Sequence, residues 1–391
     1  MREWTSTKLR PYGASIFDSL GQLARQHPCI NLGQGFPDFD GPDLVKEAAR
    51  EAIAQGHNQY APLAGVPAMG EAIAEIYADR TGLVFDPARE ITVLNGATEA
   101  MYAAITALCE PGDEWIAFAP VYDTYGPTVA MNGGRLIAVP LEAPSFRFDP
   151  DRLRAAFSKK TKAVILNSPH NPTGRVFSLQ EMEQIRDLCL EFDAFVITDE
   201  VYEYLVWQGH RHHIMATLEG MRDRTITISS TAKTFSLTGW KIGFAVAPPA
   251  ATTAIRRLHQ FITFAIATPL QMGIAKGLRN RHQLIEPLQM LLSQRRRYLC
   301  DGLDEMGFEV IEPEGTFFCL AGFKAFSAKR DTDFARELIT GSAGVALIPI
   351  SVFYPDPEEA PQHYLRFCFA KRQETLAAGM EALAAWRQKH G

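Results

Sequence analysis

Between residues 91 and 199, short apolar runs alternate with stretches of helical character. The runs fall at 91–94, 114–119, 135–139, 163–167 and 195–199, and helical stretches at 98–109, 149–157 and 179–192. Strands that read as nearly continuous apolar runs are covered on both faces, and helical crossovers make neighbouring strands parallel. The chain is therefore expected to be α/β, with a mostly parallel sheet flanked by helices. A further run, Thr225-Ile226-Thr227-Ile228, has the β-branched weight of another strand.

Polar residues cluster where these strands end: Asn95 and Gly96, Asn167, Asp199 and Glu200, Ser229 and Ser230. Ligands of open α/β sheets bind outside the carboxyl ends of the strands, so these ends point at one crevice. After about residue 285 the pattern changes to short strands near 308–311, 316–320, 345–347 and 365–369, with helices near 331–340 and 375–388. This reads as a smaller α+β domain. The expected division is 41–285 for the large domain, with 1–40 and 286–391 forming the small one. Arg295, Arg296 and Arg297 read as a solvated helix face.

The net charge of -6 gives no case for nucleic acid or an anionic membrane. The six cysteines are scattered without a CxxC pair and read as small buried hydrophobes of a reducing compartment. An early acid, Glu3, and the lack of an apolar leader make the cytoplasm the expected location. No apolar stretch is long enough to span a membrane. His210, His212 and His213 sit in a polar segment with no sequence neighbour suited to complete a metal site, so no metal is expected.

The richest stretch for chemistry is 229–241, SSTAKTFSLTGWK. It follows a strand and offers Ser230, Lys233 and Lys241. A lysine there suits either a solvated loop or a Schiff base with an aldehyde cofactor whose phosphate neighbouring hydroxyl and ammonium groups hold. Other strand ends supply what such a cofactor needs. Asp199 is either a helix cap or the partner of a protonated pyridine nitrogen. Asn171, in Asn171-Pro172-Thr173-Gly174, suits either a plain turn or a donor to a phenolate-like oxygen, and Tyr202 could donate to the same oxygen. Ala97 and Thr98 open a helix after a strand, where free amides bind phosphate. Tyr122 suits stacking on a planar ring or a core position. Arg366, embedded in an apolar strand, needs an anion: a structural carboxylate or a substrate carboxylate.

Taken together the chain resembles the fold-type I, pyridoxal-phosphate-dependent class I aminotransferases. The nearest likeness is to the group of kynurenine aminotransferase, glutamine transaminase K and bacterial methionine aminotransferase. The segments that carry it are 32–39 (LGQGFPDF), 58–60 (NQY), 167–174 (NSPHNPTG), 198–202 (TDEVY), 233–241 (KTFSLTGWK), 348–353 (IPISVF) and 365–370 (LRFCFA). The resemblance implies an aspartate-aminotransferase-like large domain with a seven-stranded sheet. It implies that Lys233 forms the internal aldimine with pyridoxal 5′-phosphate and shuttles the proton. Asp199 would hold the pyridinium, Asn171 and Tyr202 the ring hydroxyl, and Tyr122 the ring face. Ala97, Thr98, Ser230 and Lys241 would hold the phosphate. Tyr60 would reach the neighbouring subunit's cofactor, implying a homodimer with shared sites. Arg366, with Gly35 nearby, would clamp the substrate α-carboxylate.

Two departures stand out. The phosphate turn reads Gly96-Ala97-Thr98-Glu99 where kynurenine aminotransferases are glycine-rich with a tyrosine. The substrate wall that is tryptophan there is Phe17 here, with Phe264 retained. No clear second arginine meets a distal carboxylate, which favours methionine, glutamine or aromatic and kynurenine-like donors. The expected reaction is ping-pong transamination between an amino acid and a 2-oxo acid. The alternatives are β-elimination on the same scaffold, of the cysteine-S-conjugate or cystathionine lyase type, and a ligand-sensing domain of a transcription regulator. The early position of residues 32–39 leaves no room for the winged helix that a regulator carries.

Overall fold

The computed structural model describes residues 4–13, 15–356 and 360–390; Glu3 lies outside the described residues. Strand β1 (Ile30–Asn31) precedes the main sheet. That sheet comprises β2 (Ile91–Asn95), β3 (Glu114–Ala119), β4 (Arg135–Glu142), β5 (Arg147–Phe148), β6 (Thr161–Asn167), β7 (Phe195–Asp199), β8 (Thr225–Ser230) and β9 (Ile242–Val246). Their order across the sheet is β2-β9-β8-β7-β6-β3-β4-β5. Strands β4, β3, β6, β7 and β8 pair in parallel. Strand β9 is antiparallel to both of its neighbours, and β5 turns back on β4. The mostly parallel seven-stranded sheet is present, with β5 as a two-residue addition at its edge.

The sequence reading had no strand at β9. It returns from β8 through the short segment 231–241 rather than through a crossover helix, and a short connection imposes the antiparallel direction. Its five residues are all buried. From β3 the chain moves outward to β4 and then comes back on the other side as β6. The loops after β3 and β6 therefore diverge and open a crevice at the carboxyl edge. Register decides what meets there: Asn167 lies opposite Asp199, Ser230 opposite Gly243, and Asn95 opposite Ile242.

Downstream lie β10 (Glu309–Ile311), β11 (Phe318–Gly322), β12 (Val345–Ala346), β13 (Ile348–Pro349) and β14 (Tyr364–Cys368). The antiparallel sheet β10-β11-β14-β13 is one unit, and β12 pairs in parallel with β1. The strand expected at 345–347 is thus split. Its first part holds the N-terminal segment, and the chain then crosses to β14. Helices Asp331–Thr340 and Gln373–His390 contribute to the core beside this sheet, where Phe323 stacks on Phe334 at 4.2 Å and Trp386 meets Phe334 edge-on.

Two expectations are corrected. The arginine triplet on helix Arg281–Glu305 is not a solvated face: Arg295 donates to Gln373 and Arg296 to Glu312, leaving Arg297 exposed. Of the free cysteines, Cys29 is half-buried rather than buried. Among the described residues no helix is long and apolar enough to cross a membrane.

Candidate active site

A cavity of about 370 Å³ opens at the carboxyl ends of β2, β6, β7 and β8. Phe318 of β11 and Arg366 of β14 wall it from the second sheet, and Phe17 with residues 34–36 from the N-terminal segment. Ala97, Thr98, Tyr122, Asn171, Asp199, Tyr202, Ser230, Lys233, Lys241, Arg366, Gly35 and Phe17 all line it. Tyr60 and Phe264 do not. They lie on the surface, 83% and 48% exposed, with their rings edge-to-face at 5.5 Å.

Strand β8 runs into a single helical turn, Thr231–Thr234, which Ser230 caps by accepting the Ala232 amide at 3.3 Å. That turn carries Lys233 into the cavity. Its Nζ donates to the Gly35 carbonyl at 2.9 Å and lies 5.3 Å from the Phe317 ring. Burial pushes the amine down to about 8, and the cations Arg366 and Lys241 add to this against the pull of Cys368 and Asp199. The shift favours the neutral, nucleophilic form of the amine. Lys241 differs. It is exposed, adopts φ 55°, and makes no hydrogen bond or ion pair among the described residues.

Asp199 ends β7. Its Oδ2 accepts from Tyr125 Oη at 2.5 Å and its Oδ1 from the Val201 amide at 3.4 Å. Burial raises its pKa to about 6, with Tyr125 and the Val201 amide restraining the rise. A buried carboxylate in that condition favours a cationic N–H donor. The Asn167 amide ties this strand end to the next turn. It donates to the Asp199 carbonyl at 2.9 Å and accepts the Asn171 amide at 2.8 Å.

Arg366 is 1% exposed, and its Nη1 donates to Asn171 Oδ1 and its Nη2 to the Gly33 carbonyl, both at 2.8 Å. The guanidinium carbon lies 4.0 Å over the Phe318 ring. Among the described residues no carboxylate pairs with it, and Nε is buried without a partner. Hydrogen bonds to a charged group contribute about 1.5–3 kcal/mol each, which offsets only part of the several kcal/mol that burying an ion costs. Burial accordingly lowers its pKa to about 10. Of the two anions that the sequence allowed, the structural carboxylate is not there, and the cavity side of Arg366 stays open to another. Tyr202 is buried, its phenol pushed well up by burial, and its hydroxyl makes no hydrogen bond among the described residues. Gly35 makes room for the Phe318 ring, since a Cβ there would lie 2.5 Å from Cζ.

At the far end, helix Gly96–Leu108 starts without a side-chain cap from Asn95. Gly96 has φ 74°, and a Cβ on it would lie 3.2 Å from Lys241 Nζ. The open amides of the first turn and the unpaired ammonium therefore converge, a combination that suits a phosphate.

Sequence reasoning did not single out Tyr125. The residue starts the helix Tyr125–Met131, and the only signal was a second tyrosine three positions after Tyr122. Sequence reasoning quoted Gln34 without a role. Asn31 Oδ1 takes the Gly33 and Gln34 amides, and Asn31 donates to Gln34 Oε1. This turn aims the Gly33 carbonyl at the buried Arg366 and the Gly35 carbonyl at the half-buried Lys233. His212 pairs with Glu200 at 2.8 Å, a carboxylate not adjacent to it in sequence.

A sequence profile described as "Aminotransferase class I and II" matches residues 27–383. Methionine aminotransferase of Escherichia coli (strain K12) is 42% identical over 377 residues, 96% of this chain and 97% of that protein. A probable N-succinyldiaminopimelate aminotransferase, DapC, of Mycobacterium tuberculosis (strain CDC 1551 / Oshkosh) is 40% identical over 394 residues, 98% and 99% of the two chains. The solved structure of YbdL from Escherichia coli, described as having a methionine aminotransferase function, superposes with a TM-score of 0.94 at 41% identity, covering 98% of this chain and 100% of that one.

Proposed function

The chain belongs to the class I and II aminotransferases, and we propose that it catalyses ping-pong transamination with pyridoxal 5′-phosphate tethered at Lys233. The donors favoured are L-amino acids with apolar or uncharged side chains, such as methionine, glutamine and aromatic or kynurenine-like residues; the acceptor is a 2-oxo acid. The observation that carries the reading is one cavity holding a depressed lysine, a buried carboxylate and a buried arginine that has no counter-ion among the described residues.

The residues fit that cofactor. Lys233 Nζ would be the amine that meets an aldehyde, and Asp199 would hold an N–H⁺ while Tyr125 fixes the carboxylate. Asn171 Nδ2 and Tyr202 Oη have hydrogens to give to a ring hydroxyl, and Tyr122 covers a ring face. Ala97, Thr98, Ser230 and Lys241 would hold the phosphate. When bound, the cofactor supplies a carbonyl carbon and a ring that takes up electrons released at the substrate α carbon.

Arg366 binds the substrate carboxylate in the open quadrant of its guanidinium and orients the α C–H. Lys233, if released by the substrate amine, would be a free amine in the same cavity as Arg366. Its Nζ takes the α-proton and returns it elsewhere, general base and then acid, with a pKa already near the working range. The donor amino acid would depart as its 2-oxo acid, with water supplying the carbonyl oxygen and the amino group staying in the site, and a second 2-oxo acid would take up that group, release the water and depart as an amino acid.

Donor preference rests on the wall. Lys233, Lys241 and Arg366 are the cations that line the cavity among the described residues, and Phe17, Phe36 and Phe318 form its apolar side. The exposed pair Tyr60 and Phe264 supports a homodimer in which these residues complete the partner's site, Phe264 beside the substrate. A cytoplasmic location and the division at 41–285 belong to the same proposal; the boundary falls inside the continuous helix Arg281–Glu305.

The test is a panel of donors read by half-reaction absorbance changes, with methionine, glutamine, phenylalanine, kynurenine, aspartate and N-succinyl-diaminopimelate. Conversion with aspartate or the succinylated diacid far ahead of the others contradicts the donor assignment.

A further inference from the structure

Glu99 departs from the kynurenine aminotransferase pattern, and it is buried on the first turn of helix Gly96–Leu108. Its Oε1 accepts from His259 Nδ1 at 2.8 Å and from Thr263 Oγ1 at 2.7 Å, and its Oε2 accepts the Asn95 amide at 2.6 Å. Burial works to raise its pKa, yet these donors bring it below the ordinary range, so it is ionised. His259 is fully buried, and its Nε2 has no partner.

The junction Glu99 holds is the irregular one. Asn95 gives no side-chain cap and Gly96 has a positive φ. Behind it, Gly243 presses on the same backbone. Helix Pro249–Ile262 ends at Thr263, so Glu99 fastens the first turn of one helix to the last turn of another. We propose that Glu99, gripped by His259 and Thr263, is a positioning residue for the anion end of the cavity. It keeps the Ala97 and Thr98 amides aimed with Lys241 at the cofactor phosphate. This rests on the reading of the cavity as a pyridoxal-phosphate site.

Geometry and charge predict opposite signs. As a fastener, Glu99 tightens phosphate binding; as a mere negative charge near a phosphate, it weakens it. The experiment compares apoenzyme affinities for pyridoxal 5′-phosphate and for pyridoxal, which lacks the phosphate, in wild type, Glu99→Gln and the nearly isosteric Thr263→Val. The expected result is a loss of roughly tenfold for the phosphorylated ligand in both variants, with pyridoxal changed far less. Unchanged affinity, an equal loss for both ligands, or tighter binding by Glu99→Gln overturns the proposal. A wild-type apoenzyme without preference for the phosphorylated ligand instead overturns the cofactor reading itself. If Glu99→Gln does not fold, Thr263→Val decides.

Discussion

Arg366 and Asn171 are hydrogen-bonded, Nη1 to Oδ1 at 2.8 Å. A guanidinium only donates, so it takes the amide oxygen and leaves the Asn171 NH₂ as a donor. The Asn167 side chain holds the Asn171 backbone from the other side. One contact thereby orients the proposed substrate clamp and the proposed cofactor donor together.

Asn171→Asp tests that contact. It would give Arg366 an internal carboxylate and remove the NH₂ donor. The KM for amino donors should rise by roughly 10- to 100-fold, the worth of a charged hydrogen bond. Steady-state kinetics with saturating cofactor reads this. A KM within twofold of wild type contradicts the assignment of Arg366 to the substrate carboxylate.

Asp199 makes the apoenzyme pH-sensitive. Burial raises its folded pKa to about 6, above the ordinary aspartate value of 3.8. A raised folded pKa gives stability that is full below about pH 4 and lost as pH rises through 6. The loss is on the order of 3 kcal/mol. Asp199→Asn, which still accepts from Tyr125, should raise the apoenzyme Tm relative to wild type at pH 7.5, with the gain shrinking toward pH 4. It should also cripple transamination. A Tm difference independent of pH would remove the buried charge from the account.

Gly243→Ala probes the packing behind the phosphate end. A Cβ there would lie 2.5 Å from the Gly96 carbonyl carbon and 2.6 Å from the Ala97 amide nitrogen. Backbone on both sides cannot yield, so about 1–3 kcal/mol of overpacking is expected. Thermal unfolding should show the loss, and pyridoxal 5′-phosphate should dissociate faster. Wild-type values of both would mean that helix Gly96–Leu108 shifts freely.

Much of this site was legible in sequence because its parts stand at strand ends: Asn167, Asp199 and Ser230 each follow a buried apolar run. Strand β9 was not, since its direction depends on pairing between β2 and β8 and not on its own five residues. Tyr125 was not, because whether an aromatic near a strand end meets a carboxylate depends on how the loop after β3 turns. The arginine triplet misled for a related reason: the partners Gln373 and Glu312 come from distant elements. Local pattern reports burial and period, and tertiary partners decide the rest.

Transamination and β-elimination separate without any acceptor. With cystathionine or a cysteine S-conjugate and no 2-oxo acid, a transaminase stops after one equivalent per site and releases no pyruvate or ammonia. Continuous pyruvate and ammonia formation, followed by coupled assay, would make the chain a lyase.

The central claim is that Lys233, and not Lys241, carries the cofactor. Holoenzyme reduced with borohydride and digested should yield one phosphopyridoxyl-modified peptide, and mass spectrometry should place the added group on Lys233. Lys233→Ala should lose both the adduct and turnover, while Lys241→Ala keeps the adduct and binds the cofactor more weakly. A modification found on Lys241, or persisting in Lys233→Ala with activity intact, would contradict the account.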